Sequence, residues 1–155
     1  MNNRNIEEIV KNVVNAIKST NLTLSEARYI VRKVEEEAEK IGVKAVVAVA
    51  DCGANVICVE CMDDAYIASY DIAVNKAFTS VSLKMATKTL KPLAQPGGEL
   101  YGIQNTNGGK IVIFGGGVPL IKGGKVVGGV GVSGGSEKQD TYLGDYAQKV
   151  FEELK

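Results

Sequence analysis

The segment Phe114–Gly135, FGGGVPLIKGGKVVGGVGVSGG, constrains the fold of this chain more than any other. It holds ten of the protein's 18 glycines, separated by short apolar runs. Glycine at this density either makes tight turns between strands or lets backbone approach another group closely. The runs Val118–Ile121 and Lys125–Val132 have strand length and β-branched content, so a meander of short antiparallel strands is expected. The last turn, Gly131-Val132-Ser133-Gly134-Gly135, is a candidate site wall.

The rest of the chain supplies helices to cover such a sheet. Ile6, Ile9, Val10, Val13, Val14 and Ile17 form one stripe of an amphipathic helix over residues 5–18. Thr23-x-x-Glu26 is a capping box that opens a second helix, with Leu24, Ala27, Ile30 or Val31, Val34, Ala38 and Ile41 on its apolar face. Gly42 stands where a helix C-terminus belongs. A hairpin follows, with Val43–Ala50 as one strand, the turn Asp51–Asn55, and Val56–Met62 as the return. Tyr66 to about Lys88 has helical period, with Tyr70, Ala73, Val74, Ala77, Phe78 and Val81 facing inward. Lys91–Gly109 reads as an irregular loop. Strands are expected over Lys110–Phe114, Val118–Ile121 and Lys125–Val132, then a helix from about Lys138 to Leu154. The order ααββαβββα describes an α+β domain, a central antiparallel sheet of about five strands flanked by helices.

Several function classes fall away on composition. At 155 residues the chain is one domain's worth, and Lys+Arg and Asp+Glu are both 18, so no net field draws in nucleic acid or an anionic membrane. No apolar run is long enough to span a bilayer and no signal-peptide pattern opens the chain, which points to the cytoplasm. Histidine is absent. That removes the commonest general base and metal ligand, and with them any Ser-His-Asp or Cys-His mechanism within one chain.

Individual motifs each have a plain reading beside a functional one. Gly129-x-Gly131-x-x-Gly134 has the letters of a dinucleotide fingerprint, but too little chain follows for the parallel βαβ unit that mechanism needs. Cys58-x-x-Cys61 places its thiols on opposite faces of a strand and lacks a fourth ligand, so no metal site is expected. Cys52, Cys58 and Cys61 read as small buried residues, with Cys61 the alternative reactive thiol. Asp63 or Asp64 either caps the helix at Tyr66 or presents a carboxylate at a strand end to a pocket. Lys76 is by default a solvated charge, and Glu137 and Asp140 are by default first-turn acids favoured by the helix dipole. Ser133, between glycines, suits a hydrogen-bond donor to a ligand, and with no base in reach it is no nucleophile.

Taken together, Val49-Ala50-Asp51-x-Gly53, Met62-Asp63-x-Ala65, Ala73-x-x-Lys76-Ala77, Gly116-Gly117-x-Pro119-Leu120, Gly128-x-Val130-Gly131-Val132-Ser133-Gly134-Gly135 and Asp140 resemble the GlcG/HbpS family over about residues 22–154. That family includes a glycolate-utilisation accessory protein, an extracellular haem-binding protein and the C-terminal domain of propanediol-utilisation adenosyltransferases. The resemblance implies a profilin-like α+β domain, a homo-oligomer, and a link to haem or cobalamin. It implies a ligand pocket framed by Asp63, Lys76, Ser133, Gly134 and Asp140, with the 91–109 loop as a lid. Two departures stand out: Cys61 occupies a position where the family often has Arg, and no histidine is available to ligate iron. Cys, Met or Tyr are the remaining iron-ligating types.

Three functions are compatible with these residues and the resemblance. The first is an accessory protein that binds a small ligand or tetrapyrrole cofactor for diol or glycolate utilisation. The second is an enzyme that processes haem or a corrinoid with carboxylates, lysine or tyrosine, and the third is a ligand-free component of a bacterial microcompartment. Residues 1–21 lie outside the resemblance to the domain at 22–155. They resemble the encapsulation peptides that direct cargo to shell proteins, through residues 1–18; packing on the chain's own domain or a dimer partner is the competing reading.

Overall fold

The computed structural model describes residues 3–18 and 21–154. Helix α1 spans Asn3–Lys18 and α2 spans Leu24–Lys40. The predicted capping box forms: Thr23 Oγ1 accepts from the Glu26 N–H at 3.2 Å, and Glu26 Oε2 accepts from the Thr23 N–H at 2.8 Å. Gly42, at φ +70°, ends the helix in the left-handed conformation.

Strands β1 (Val46–Asp51) and β2 (Val56–Cys61) form the expected hairpin. Asp51 Oδ1 organises its turn by accepting from the Gly53 N–H at 2.8 Å and the Asn55 N–H at 2.9 Å. Helix α3 (Ile67–Ser82) and the short α4 (Thr87–Leu93) come next, then β3 (Gly117–Lys122), β4 (Lys125–Ser133) and α5 (Glu137–Glu153). The sheet is fully antiparallel in the order β2-β1-β4-β3.

The α+β class holds, with four strands in place of five. The expected strand at Lys110–Phe114 does not form. Its backbone is drawn to α3, where Thr79 Oγ1 accepts from the Val112 N–H at 2.9 Å and donates to the Asn75 and Lys110 carbonyls. The long helix expected from Tyr66 to Lys88 breaks after Ser82, and α4 begins at Thr87. The 91–109 stretch holds the end of α4 and two 3-10 turns, Ile103–Asn105 and Asn107–Gly109.

The two faces of the sheet are built differently. One carries Val47, Val49, Val118, Leu120, Val130 and Val132, and packs with Ala27, Ile30, Val31 and Val34 of α2 and Leu143, Ala147 and Phe151 of α5 into the main core. The other is a shallow bed of Ala48, Ala50, Gly117, Gly129 and Gly131 on which α3 lies. The glycines here are structural. A Cβ on Gly131 would come within 2.0 Å of the Ala73 carbonyl oxygen, and one on Gly129 within 2.5 Å of Ser80 Oγ. The density of glycine in β4 lets a helix sit close on the sheet, in addition to the tight turn at Gly123-Gly124.

The cysteines depart from the buried reading: Cys52 and Cys61 are exposed and Cys58 is half-buried. Neither Asp63 nor Asp64 caps α3, whose N-cap is Tyr66 without a side-chain bond. Tyr70, expected to face inward, is exposed. No helix among the described residues is long and apolar enough to cross a membrane.

Candidate functional site

The close seating of α3 carries Lys76 to the interior. Its side chain is fully buried, so it is not the solvated charge expected of a mid-helix lysine. Nζ donates to the Val132 carbonyl at 2.7 Å and to Asp140 Oδ2 at 2.8 Å, and it lies 4.9 Å from the centre of the Phe114 ring. Burial pushes the Lys76 pKa below its ordinary value, against the raising influence of the Asp140 carboxylate. Gly116, at φ +114°, leaves room for the ammonium; a Cβ there would stand 2.7 Å from Nζ.

Asp140 is likewise buried and does more than favour a helix dipole. While Oδ2 meets Lys76, Oδ1 accepts from the Gly135 N–H at 2.9 Å. One carboxylate thus ties α3, the end of β4 and the first turn of α5 together. Ser136 caps that turn, accepting from the Gln139 N–H, with the Gln139 side chain returning to the Ser136 N–H. Glu137 Oε1 accepts from the Gly115 N–H at 3.1 Å and Oε2 pairs with Lys91. The Lys91 hydrogen bond, then that of Gly115, holds the Glu137 carboxyl below its ordinary pKa.

Ser133 lies behind the same junction, buried, its hydroxyl 3.2 Å from that of Ser69 on α3. Gly134 presses against the segment before β1, where a Cβ would fall 2.3 Å from the Lys44 carbonyl oxygen. Gly134 and Gly135 line an open cavity of about 480 Å³, shared with Lys44, Asp64, Tyr66 and Gln139. Asp63 is exposed and belongs to a neighbouring depression of about 260 Å³ with Glu35, Lys44 and Cys61.

The five residues singled out in the sequence therefore divide. Lys76, Asp140 and Ser133 form the buried support, Gly134 forms the cavity wall above it, and Asp63 stands apart. Lys44 and Tyr66, which complete the cavity, carry no sequence signal of their own: one is a lone lysine before a strand, the other a helix-entry tyrosine.

Residues 22–148 match the family described as haem degrading protein, HbpS-like. An uncharacterized 15.0 kDa protein from the dhaT-dhaS intergenic region of Citrobacter freundii is 46% identical over 133 residues, which are 86% of this chain and 94% of that protein. The corrinoid adenosyltransferase PduO of Citrobacter freundii is 33% identical over 152 residues, 94% of this chain and 45% of PduO, so this chain spans less than half of that enzyme. Among solved structures, Klebsiella pneumoniae protein ORFY has a TM-score of 0.84 at 42% identity, covering 86% of this chain and 92% of its own. A PduOC:haem complex has a TM-score of 0.81 at 35% identity, covering 84% and 94% respectively. The match extends from the capping box of α2 to the body of α5 and takes in the whole sheet, and the chain belongs to the HbpS-like family, the GlcG/HbpS family that its motifs resemble.

Proposed function

We propose that this chain is a cofactor-binding accessory protein that holds a haem- or corrinoid-type tetrapyrrole in diol or glycolate utilisation. The observation that carries the reading is the cavity of about 480 Å³ walled by Gly134 and Gly135. Lys44, exposed at the rim, suits a carboxylate of the ligand as a charge-assisted donor. Tyr66, 73% exposed, is a phenol of the type that ligates iron where histidine is lacking. The residues thus fit such a group. Lys76 and Asp140 are positioning residues in this reading, since Asp140 holds the Gly135 N–H and Lys76 holds Asp140. A PduOC:haem complex among the relatives supports the choice of ligand.

Titration of the protein with haemin, with cobalamin in parallel, tests it by absorbance. A saturable Soret shift that weakens in Lys44→Ala and changes band position in Tyr66→Phe is expected. A flat response to both ligands removes the reading.

The family's description, haem degrading, favours turnover of the bound ligand as a second reading. Loss of the Soret band with a reductant, abolished by replacing Asp64 at the rim, distinguishes it from binding alone. Helix α1 supports a place inside a bacterial microcompartment: Ile6, Ile9, Val10, Val13 and Val14 are 41–54% exposed, an apolar stripe free to meet a shell protein. Residues 1–21 fused to a fluorescent protein should form puncta in shell-producing cells; diffuse fluorescence sinks this assignment.

A further inference from the structure

An open cavity of about 750 Å³ lies between α2 and the edge strand β2, and it shares no lining residue with the cavity at Gly134 and Gly135. Leu24, Arg28, Tyr29, Arg32 and Glu35 of α2 line it, with Glu60 of β2 opposite. Arg28, Arg32 and Glu35 are spaced to share one side of the helix. The Cys58 thiol on β2, raised in pKa by burial and by Glu60, is also drawn down by Arg28 and pushed up by Glu35, so these charges face the strand.

Two features separate this surface from an ordinary solvated helix face. The first is unpaired positive charge. Lys33 and Lys40 on the same helix hold glutamates at 2.6 and 2.8 Å, whereas Arg32 reaches only Glu36 Oε1 at 4.0 Å and Arg28 pairs with no carboxylate among the described residues. The second is separation of charge. Both guanidiniums stand towards the start of α2, and the two carboxylates stand at the other end, where burial, then Glu60 and Glu39, raises the Glu35 pKa. Arg28 and Glu35 are two turns apart along the axis, about 10 Å. Beside the arginines, Leu24 is 46% and Tyr29 36% exposed, a small apolar wall.

We propose that this cavity binds a phosphate ester that also carries hydroxyl groups, a sugar phosphate or a nucleotide. Two guanidiniums one turn apart suit the oxygens of a single phosphate, which arginine grips in a forked, charge-assisted geometry. Carboxylates accept hydrogen bonds from hydroxyls, and at the far end of the cavity Glu35 and Glu60 repel a second anion. The site therefore favours a ligand that is anionic at one end and donates hydrogen bonds at the other. A nucleotide also brings a flat base to the Tyr29 ring and Leu24; a sugar phosphate does not. The site is independent of the tetrapyrrole reading.

Isothermal titration of the full chain with ribose 5-phosphate, ADP and inorganic phosphate tests the site, at about 0.15 M ionic strength to screen diffuse attraction. At least one of the two esters should saturate a single site per chain, about 10-fold or more tighter than inorganic phosphate. Arg28→Ala/Arg32→Ala, both at exposed positions, should weaken it by about 10-fold or more with an unchanged circular-dichroism spectrum. Arg28→Lys/Arg32→Lys should recover only part of that loss, because the charge returns without the fork. Glu35→Gln/Glu60→Gln should narrow the preference over inorganic phosphate. ADP tighter than ribose 5-phosphate, with the excess lost in Tyr29→Ala, assigns a nucleotide; ADP no tighter assigns a sugar phosphate. Lys88→Ala/Lys91→Ala, which removes two exposed cations elsewhere, should leave binding unchanged. No saturable binding of either ester, inorganic phosphate bound as tightly as both, no loss in Arg28→Ala/Arg32→Ala, an undiminished preference in Glu35→Gln/Glu60→Gln, or an equal loss in Lys88→Ala/Lys91→Ala each overturns the proposal.

Discussion

The ammonium of Lys76 and the carboxylate of Asp140 meet at 2.8 Å in the interior, although 64 positions separate them in the chain. Each also holds backbone: Lys76 the Val132 carbonyl, Asp140 the Gly135 N–H. Removing one partner leaves the other charge buried and unpaired, at a cost of about 3–5 kcal/mol. Asp140→Ala should therefore lose about that much stability in urea unfolding, whereas Lys76→Met/Asp140→Leu should recover a good part of it. Equal losses in the single and double variants would assign the effect to packing.

The glycine bed under α3 makes a second prediction. Gly131→Ala forces a methyl against the Ala73 carbonyl, and Gly129→Ala forces one against Ser80 Oγ. Overpacking of this kind costs about 1–3 kcal/mol, and Gly131→Ala belongs at or above the upper end because backbone cannot swing aside. Gly123→Ala has open space around it and suffers only from its positive φ. Denaturant midpoints of the three variants should rank accordingly, with Gly131→Ala the least stable.

Acid should separate Glu137 from its neutral analogue. Lys91, then the Gly115 N–H, holds its carboxyl below the ordinary value of 4.5. A carboxyl depressed in the folded state contributes stability that is complete above its unfolded pKa and is lost as pH falls through the folded value. Glu137→Gln should melt below the parent at pH 7, by the small margin of an exposed pair, on the order of 0.2–1 kcal/mol. The two melting temperatures should converge as pH is lowered beneath 4.5. A constant gap across that range would show that the carboxylate charge contributes nothing.

The three thiols should differ in reactivity. Cys52 and Cys61 are exposed, while Cys58 is half-buried and its pKa is raised by burial, by the Glu60 charge and by the hydrogen bond its thiol makes to Glu60. The thiolate is the reactive form. Iodoacetamide at neutral pH, followed by peptide mass mapping, should label Cys52 and Cys61 before Cys58, and Glu60→Gln should narrow the difference.

Where a signal is local, the sequence carries it. The Thr23–Glu26 capping box, the Gly42 stop, the Asp51–Asn55 turn and the β3–β4 hairpin are each set by residues within a few positions of one another, and each forms as expected. The antiparallel α+β architecture follows from them. Ile111–Ile113 has the composition of a strand, yet one hydroxyl on α3 captures its backbone, and no periodicity foretells which partner an N–H will choose. Nor does spacing distinguish a lysine on a solvent face from one turned inward. Lys76 is buried because Gly117 and Gly131 let α3 close on the sheet and because Asp140, from a distant helix, neutralises the charge there. The sequence by itself determined the α+β class, most of its elements, the Thr23 cap and the family; tertiary structure alone decided that the 110–114 stretch forms no strand, that Gly129 and Gly131 serve packing, that Lys76 and Asp140 brace a wall, and that Lys44 and Tyr66 stand at the cavity. The reason is one of range: caps, turns and amphipathic faces are short-range, whereas burial, charge pairing and cavities arise only when segments far apart in the chain are brought together.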